Sequence, residues 1–184
     1  MSQIAARAET LIDRPIALVG LMGAGKTTVG RRLARALGLK FFDADKEIER
    51  AADRSVVEIF SDFGEEAFRD GERKVIARLL DEGPCVLALG GGAFANDATR
   101  AIVRDKAVTV WLKADLDTLM ERVSRRDTRP LLLTGDPRQV MAELMAKREA
   151  AYSQADLTVD ATSGSHQATM KLIVNALEQA GILS

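Results

Sequence analysis

The sequence predicts an α/β fold of three layers, with a parallel sheet covered by helices on both faces. Two observations predict it. Short apolar runs alternate with segments of helical periodicity from residue 16 to the C-terminus. The first of those runs also feeds Gly20-Leu21-Met22-Gly23-Ala24-Gly25-Lys26-Thr27, which fits G-x-x-x-x-G-K-[ST] at every fixed position, a pattern that belongs between a strand and a helix.

The elements follow in order. Ile16-Ala17-Leu18-Val19 is continuously apolar, as a strand buried on both faces should be. From Thr28 a helix is expected, with Val29, Leu33, Ala34 and Leu37 on one face and Gly38 as its stop. Lys40-Phe41-Phe42-Asp43 reads as a second strand, and 44–49 start another helix. Ser55 is placed to cap a short helix through Phe60, with Glu58 in capping-box register. Residues 64–82 make a longer helix that faces Phe68, Val75, Ile76, Leu79 and Leu80 inward, though Gly71 weakens it by roughly 1 kcal/mol relative to alanine. Cys85-Val86-Leu87-Ala88-Leu89 is a third buried strand, and it ends in Gly90-Gly91-Gly92. A helix from about Asn96, a fourth strand over 108–112 and a helix capped by Asp115 come next. Asp136 should cap a further helix, with Pro137 at its first position and Gln139 closing the box. A fifth strand over 157–159 and a helix over about 167–180 complete the chain.

At 184 residues one domain is expected, spanning 15–184 after a frayed extension over 1–14. A 47% hydrophobic, 29% charged composition suits a soluble globular protein, and a net charge of −1 supplies no global field toward nucleic acid or an anionic membrane. Cys85 is the one cysteine, which rules out an internal disulfide or a cysteine-built zinc site and leaves a small buried hydrophobe as its reading. No apolar run is long enough to span a bilayer and the first 14 residues lack a secretory pattern, so a cytoplasmic location is expected.

Chemistry concentrates at the carboxyl ends of the strands, where open parallel sheets bind ligands. In the 20–27 loop, glycines let backbone N–H groups close on phosphate, with the helix N-terminus adding positive potential. Gly23, Ala24, Gly25, Thr27 and Thr28 would line that cradle, Lys26 would reach the β- and γ-phosphates, and the Thr27 hydroxyl would ligate Mg²⁺. A nucleoside triphosphate is therefore the expected ligand. Asp43 and Asp45 leave the second strand two residues apart. Read as extended chain they face one way, as a metal's water ligand and a hydroxyl's proton acceptor, or else they are two helix-capping aspartates. The third strand ends in glycines where many phosphate-loop ATPases place a metal-binding aspartate, which makes Asp43 the available carboxylate. Gly90, Gly91 and Gly92 suit either a tight turn or the close approach of a small ligand.

Arg148 falls in the middle of the apolar face made by Met141, Leu144, Met145 and Tyr152, and an inward arginine needs a partner. Arg69 borders another apolar face, with Glu72 three residues on to orient it. Two such arginines suit a planar carboxylate, or two internal ion pairs. The basic stretch over about 124–136, with Arg125, Arg126 and Arg129, reads as a solvated loop or as a lid whose arginine reaches the transferring phosphoryl group. His166 lies in a polar turn and is given no catalytic role.

The phosphate loop with Thr28-Val29-Gly30, the Phe42-Asp43-Ala44-Asp45 stretch with Ile48-Glu49, Phe68-Arg69-x-x-Glu72, Gly90-Gly91-Gly92-Ala93, Arg129-Pro130-Leu131-Leu132 and the Arg148…Tyr152 pair together resemble the shikimate kinase family. The matches come in family order over about residues 15–180. The resemblance implies an adenylate-kinase-like (nucleoside-monophosphate-kinase-like) fold with strand order 2-3-1-4-5. It also implies transfer of the ATP γ-phosphoryl group to the 3-hydroxyl of shikimate, in a monomer that needs Mg²⁺. By position it makes Asp45 the base on the reacting hydroxyl and Asp43 the support of Mg²⁺ through water. Arg69 and Arg148 hold the carboxylate, with Glu72 and Gly90, Gly91 and Gly92 in the substrate pocket. Arg129 is the lid arginine and Arg122 stacks on adenine. Thr27 stands where the family often has serine, and the proline that often packs on adenine is missing near 163–167. The alternatives are another small-molecule kinase, such as a gluconate kinase, and a catalytically dead nucleotide-binding scaffold. A signalling GTPase is disfavoured, since no Asn-Lys-x-Asp signature occurs.

Overall fold

A computed structural model describes residues 12–125 and 135–183. Its centre is a five-stranded sheet in the order β2-β3-β1-β4-β5, as the resemblance implies. The strands are β1 (Ile16–Val19), β2 (Lys40–Asp43), β3 (Cys85–Ala88), β4 (Val108–Lys113) and β5 (Leu157–Asp160). All four ladders are parallel. Register sets the active edge: Asp43 pairs with Ala88, Leu18 with Ala88 and Val19 with Trp111, so residues 20–27, 43–45 and 90–92 emerge side by side. The central strands are fully buried, which is why they read as unbroken apolar runs rather than alternating ones.

Helices α1 (Lys26–Leu37), α2 (Ala44–Ala52), α3 (Val56–Asp81), α4 (Asp97–Lys106), α5 (Leu116–Ser124), α6 (Pro137–Tyr152) and α7 (His166–Gln179) pack around the sheet. The main core gathers Ile16, Leu18, Leu33, Ile76, Leu87, Phe94 and Tyr152 among others. A satellite of Ile48, Ile59 and Phe68 ties α2 to α3, away from the sheet.

Ser55, in a complete capping box, Asp115 and Asp136 cap their helices as expected, and Asn96 and Ser165 cap two more. The two starts at the active edge, Gly25 before α1 and Asp43 before α2, have no side-chain cap. Their N–H groups are left for another acceptor.

Four details differ from the sequence reading. Helix α1 begins at Lys26 rather than Thr28, because Gly25 adopts φ 93° and the chain turns helical at once. Helix α2 begins at Ala44, where the sequence reading started it, but this puts Asp45 in a helical turn, and the extended-chain argument that aligned it with Asp43 does not hold. The expected helices over 55–60 and 64–82 join in α3 across a break at Gly64 (φ 81°, ψ 175°), and α3 runs on through Gly71. Gln139 closes no capping box: its amide donates to Glu143 Oε1 at 3.0 Å, one turn on, while Asp136 accepts from Arg138 N.

Candidate active site

The phosphate loop is held closed by its own lysine. Lys26 Nζ donates to Gly20 O at 2.7 Å and to Leu21 O at 2.9 Å, curling 20–26 into a ring of backbone above the α1 N-terminus. Gly23 (φ 84°) and Gly25 (φ 93°) occupy backbone conformations that favour glycine. Arg122 of α5 reaches this loop, with its guanidinium 3.4 Å from Gly23 O. His166 at the start of α7 lies close by: a Cβ on Gly25 would stand 3.1 Å from its ring. Ala24 is buried, while Thr27 and Thr28 are half-buried in the first turn of α1.

Thr27 Oγ1 donates to Asp43 Oδ2 at 2.8 Å. The Asp43 carboxylate therefore points at the phosphate loop and not at the α2 backbone, and the capping reading of this residue falls. A hydroxyl and a carboxylate side by side are hard oxygen donors, the type Mg²⁺ takes alongside water and phosphate oxygens.

Asp45 turns the other way. Its Oδ1 lies 2.6 Å from where a Cβ on Gly90 would stand, and Glu72 Oε1 lies 3.2 Å from that point. A Cβ on Gly91 would come within 3.0 Å of Arg148 Nη1. One on Gly92 would overlap the Arg69 guanidinium, whose Cζ is 2.8 Å away. The three glycines thus face, one by one, an acid, an arginine and a second arginine. None of the three has a positive φ. Their absence of side chains makes room for charge.

Arg69 is fixed on several sides. Its Nη1 donates to Glu72 Oε2 at 2.7 Å, and its guanidinium stands 5.2 Å from the Phe68 ring centre and 6.0 Å from that of Phe60. Glu72 is 1% exposed. Burial pushes its carboxyl above the usual range and the neighbouring Asp45 adds to that, with Arg69 and Arg148 pulling the other way. Both ideas raised by the sequence therefore coexist: Arg69 has an internal carboxylate partner and still turns a face toward the glycine turn.

Tyr152 was read from the sequence as part of an apolar face and of the Arg148…Tyr152 motif, without a contact of its own in the site. It is 1% exposed and its hydroxyl donates to Gly91 O. The available signal was its place one helical turn beyond Arg148. Phe60 is also new to the site, having been read only as the end of a short helix. Arg129 and the body of the stretch read as a lid fall outside the described residues, as does most of the 1–14 extension.

A phosphate loop on a parallel sheet, with an acid and two arginines gathered at the neighbouring strand end, defines a phosphate-loop small-molecule kinase. The sequence model of the family described as "Shikimate kinase" matches residues 22–178, and the chain belongs to that family. The shikimate kinase of Caulobacter vibrioides (strain NA1000 / CB15N) is 57% identical over 167 residues, 91% of this chain and 84% of that protein. The structure of shikimate kinase from Acinetobacter baumannii in complex with shikimate superposes with a TM-score of 0.89 at 35% identity, over 96% of this chain and 98% of that one. A gluconokinase from Sinorhizobium meliloti 1021 reaches a TM-score of 0.66 at 17% identity over 92% of this chain and 94% of that one, a likeness of fold alone.

Proposed function

We propose that this chain transfers the γ-phosphoryl group of ATP to the 3-hydroxyl of shikimate, giving shikimate 3-phosphate and ADP. The observation that carries this reading is the meeting of Asp45, Arg69 and Arg148 on the glycine turn, one strand away from the phosphate loop. The acceptor oxygen attacks the γ-phosphorus, the bond to the β–γ bridging oxygen breaks, and the hydroxyl proton passes to the Asp45 carboxylate. Arg69, steered by Glu72, and Arg148 grip the substrate carboxylate, and Gly90, Gly91 and Gly92 let the ring approach.

On the nucleotide side, Gly23, Ala24, Gly25, Thr27 and Thr28 offer backbone N–H groups to the phosphates. Lys26 exchanges its carbonyl partners for phosphate oxygens and stabilises the charge that develops on them. Thr27 and, through water, Asp43 would hold Mg²⁺, which would neutralise phosphate charge when bound. Arg122 is assigned to the adenine. Arg129 is assigned to the transferring group on the strength of the family motif alone. We place 15–184 as one kinase domain that works as a cytoplasmic monomer.

One assay tests the reading. ADP release is followed with shikimate, quinate and gluconate as acceptors, and shikimate is expected to give the highest kcat/KM. Preference for gluconate would overturn the substrate assignment. ADP release with none of the three from folded, ATP-binding protein would favour a scaffold.

A further inference from the structure

We propose that His166 is a proton-linked residue of the nucleotide site: its imidazole takes up a proton from solvent when the phosphate chain of a nucleotide enters the 20–27 loop, so that nucleotide binding tightens as pH falls. The proposal rests on the reading of that loop as a phosphate site.

His166 is the single histidine of the chain, half-buried at the first position of α7. A Cβ on Gly25 would stand 3.1 Å from its Cδ2 and 3.2 Å from its Nε2, so Nε2 lies within about 5 Å of the Gly25 Cα itself. Gly25 is the N-cap of α1 and supplies no side-chain cap, which leaves the first N–H groups of α1 for an anion. The ring is held at this place by its surroundings. Ser165 Oγ accepts from Ala168 N at 3.2 Å and fixes the start of α7, and Arg32 of α1 donates to Gln167 Oε1 at 3.2 Å. The loop before α7 is clasped to α5 through Thr162, whose hydroxyl accepts from Asp115 N at 3.1 Å and whose carbonyl accepts from Thr118 Oγ1 at 3.2 Å.

The charged groups gathered here are mainly cations. Lys26 and Arg122 stand on the loop, bonded to its carbonyls, and Arg32 stands on α1. The first turn of α7 has no acidic residue. Of the acids on flanking segments, Asp43 accepts from Thr27 Oγ1, Asp115 from Thr118 N and Asp160 from Thr162 N. A di- or triphosphate brings several negative charges to the same place, and negative charge at short range favours the protonated imidazole. Imidazole ordinarily titrates close to neutrality, so this change of field alters its proton occupancy within the working range of an enzyme. The coupling is reciprocal: a ligand that favours the proton is itself favoured by it.

Because the chain has one histidine, its imidazole can be followed alone by nuclear magnetic resonance. The wild-type protein is titrated from about pH 5.5 to 8.5, by itself and saturated with a non-hydrolysable ATP analogue in excess Mg²⁺. The His166 midpoint is expected to rise by about one pH unit in the complex, and a midpoint that is unmoved or lowered overturns the proposal. The same linkage is read as affinity. For a rise of that size, Kd for the analogue should be about tenfold lower at the acid end than at the alkaline end. In His166→Gln that difference should shrink to what the titration of the analogue's own phosphates contributes. A variant that keeps the wild-type difference in Kd also overturns the proposal. Failure of the analogue to bind the folded wild type at all would instead sink the phosphate-loop reading, and this proposal with it.

Discussion

Two glycine-rich turns stand at neighbouring strand ends, and they use glycine for different reasons. In the phosphate loop Gly23 and Gly25 have φ of 84° and 93°, so the requirement lies in the backbone. In the 90–92 turn no glycine has a positive φ, and the requirement lies in what faces each Cα: Asp45 and Glu72, Arg148, then Arg69. On the proposed reading, one turn presents its own N–H groups to a ligand. The other stands aside so that charged side chains from α2, α3 and α6 can reach one. The same residue type therefore marks a direct binding element in the first case and a clearance in the second.

The largest effect expected from a single change is that of Lys26→Met. The lysine closes the loop through two carbonyls and is the cation placed for phosphate, so kcat should fall about 10³-fold or more with the fold retained. Turnover near wild type in the folded variant would end the claim that this turn binds by direct contact.

The comparison itself is sharpened by a pair of alanine substitutions. Gly92→Ala pushes a methyl group into the Arg69 guanidinium and should lower kcat/KM for shikimate about 100-fold, within the range for an arginine lost from a carboxylate, with ATP binding unchanged. Gly23→Ala forces a side chain into the left-handed region, 3.0 Å from Leu119 O, and should weaken ATP about tenfold or more through strain of 1–2 kcal/mol. If both variants lost the same substrate, the two turns would not be doing separate jobs.

Glu72, beneath the second turn, gives a pH signature. In the folded protein its carboxyl is raised above its ordinary 4.5, chiefly by burial, so the folded state binds more protons than the unfolded one just above that pH. Stability of the wild type should therefore fall, relative to Glu72→Gln, as pH rises from 4.5 through the raised value. Parallel Tm curves for the two proteins would show that the carboxyl sits at no cost beneath the turn.

The smallest effect comes from a glycine that meets neither requirement. Gly71 lies inside α3 with ordinary helical backbone, and a Cβ there would meet nothing within 4 Å. Gly71→Ala should stabilise the protein by about 0.5–1 kcal/mol, read in urea, without altering either KM. A loss of stability would show a demand at this position that neither φ nor clearance describes.

The sheet was legible because the inner strands are buried on both faces and so appear as plain apolar runs, whereas its order came only from the family resemblance. The phosphate loop was legible because its residues are contiguous. Arg69 with Glu72 could be read from helical spacing, since both lie on one turn of α3. What could not be read was any relation across the sheet edge. Asp43 turning to Thr27, Asp45 turning to Gly90, and Tyr152 meeting Gly91 are set by the β2–β3 and β1–β3 registers and by the packing of α6. Periodicity within a segment contains none of that. The strand-to-helix break between Asp43 and Asp45 was itself legible, and it already contradicted reading the two acids as extended chain.

The glycine turn at 90–92 has a consequence for heredity. Any non-silent single-base change in a glycine codon that still encodes an amino acid adds at least a Cβ, so each such step brings a side chain toward an acid or an arginine of the site. Every one-base amino-acid neighbour of this stretch therefore carries a side chain that Asp45, Arg148 or Arg69 must move to admit. On the proposed reading, an inhibitor seated against this turn would rest on a surface that any such change obliges Asp45, Arg148 or Arg69 to leave.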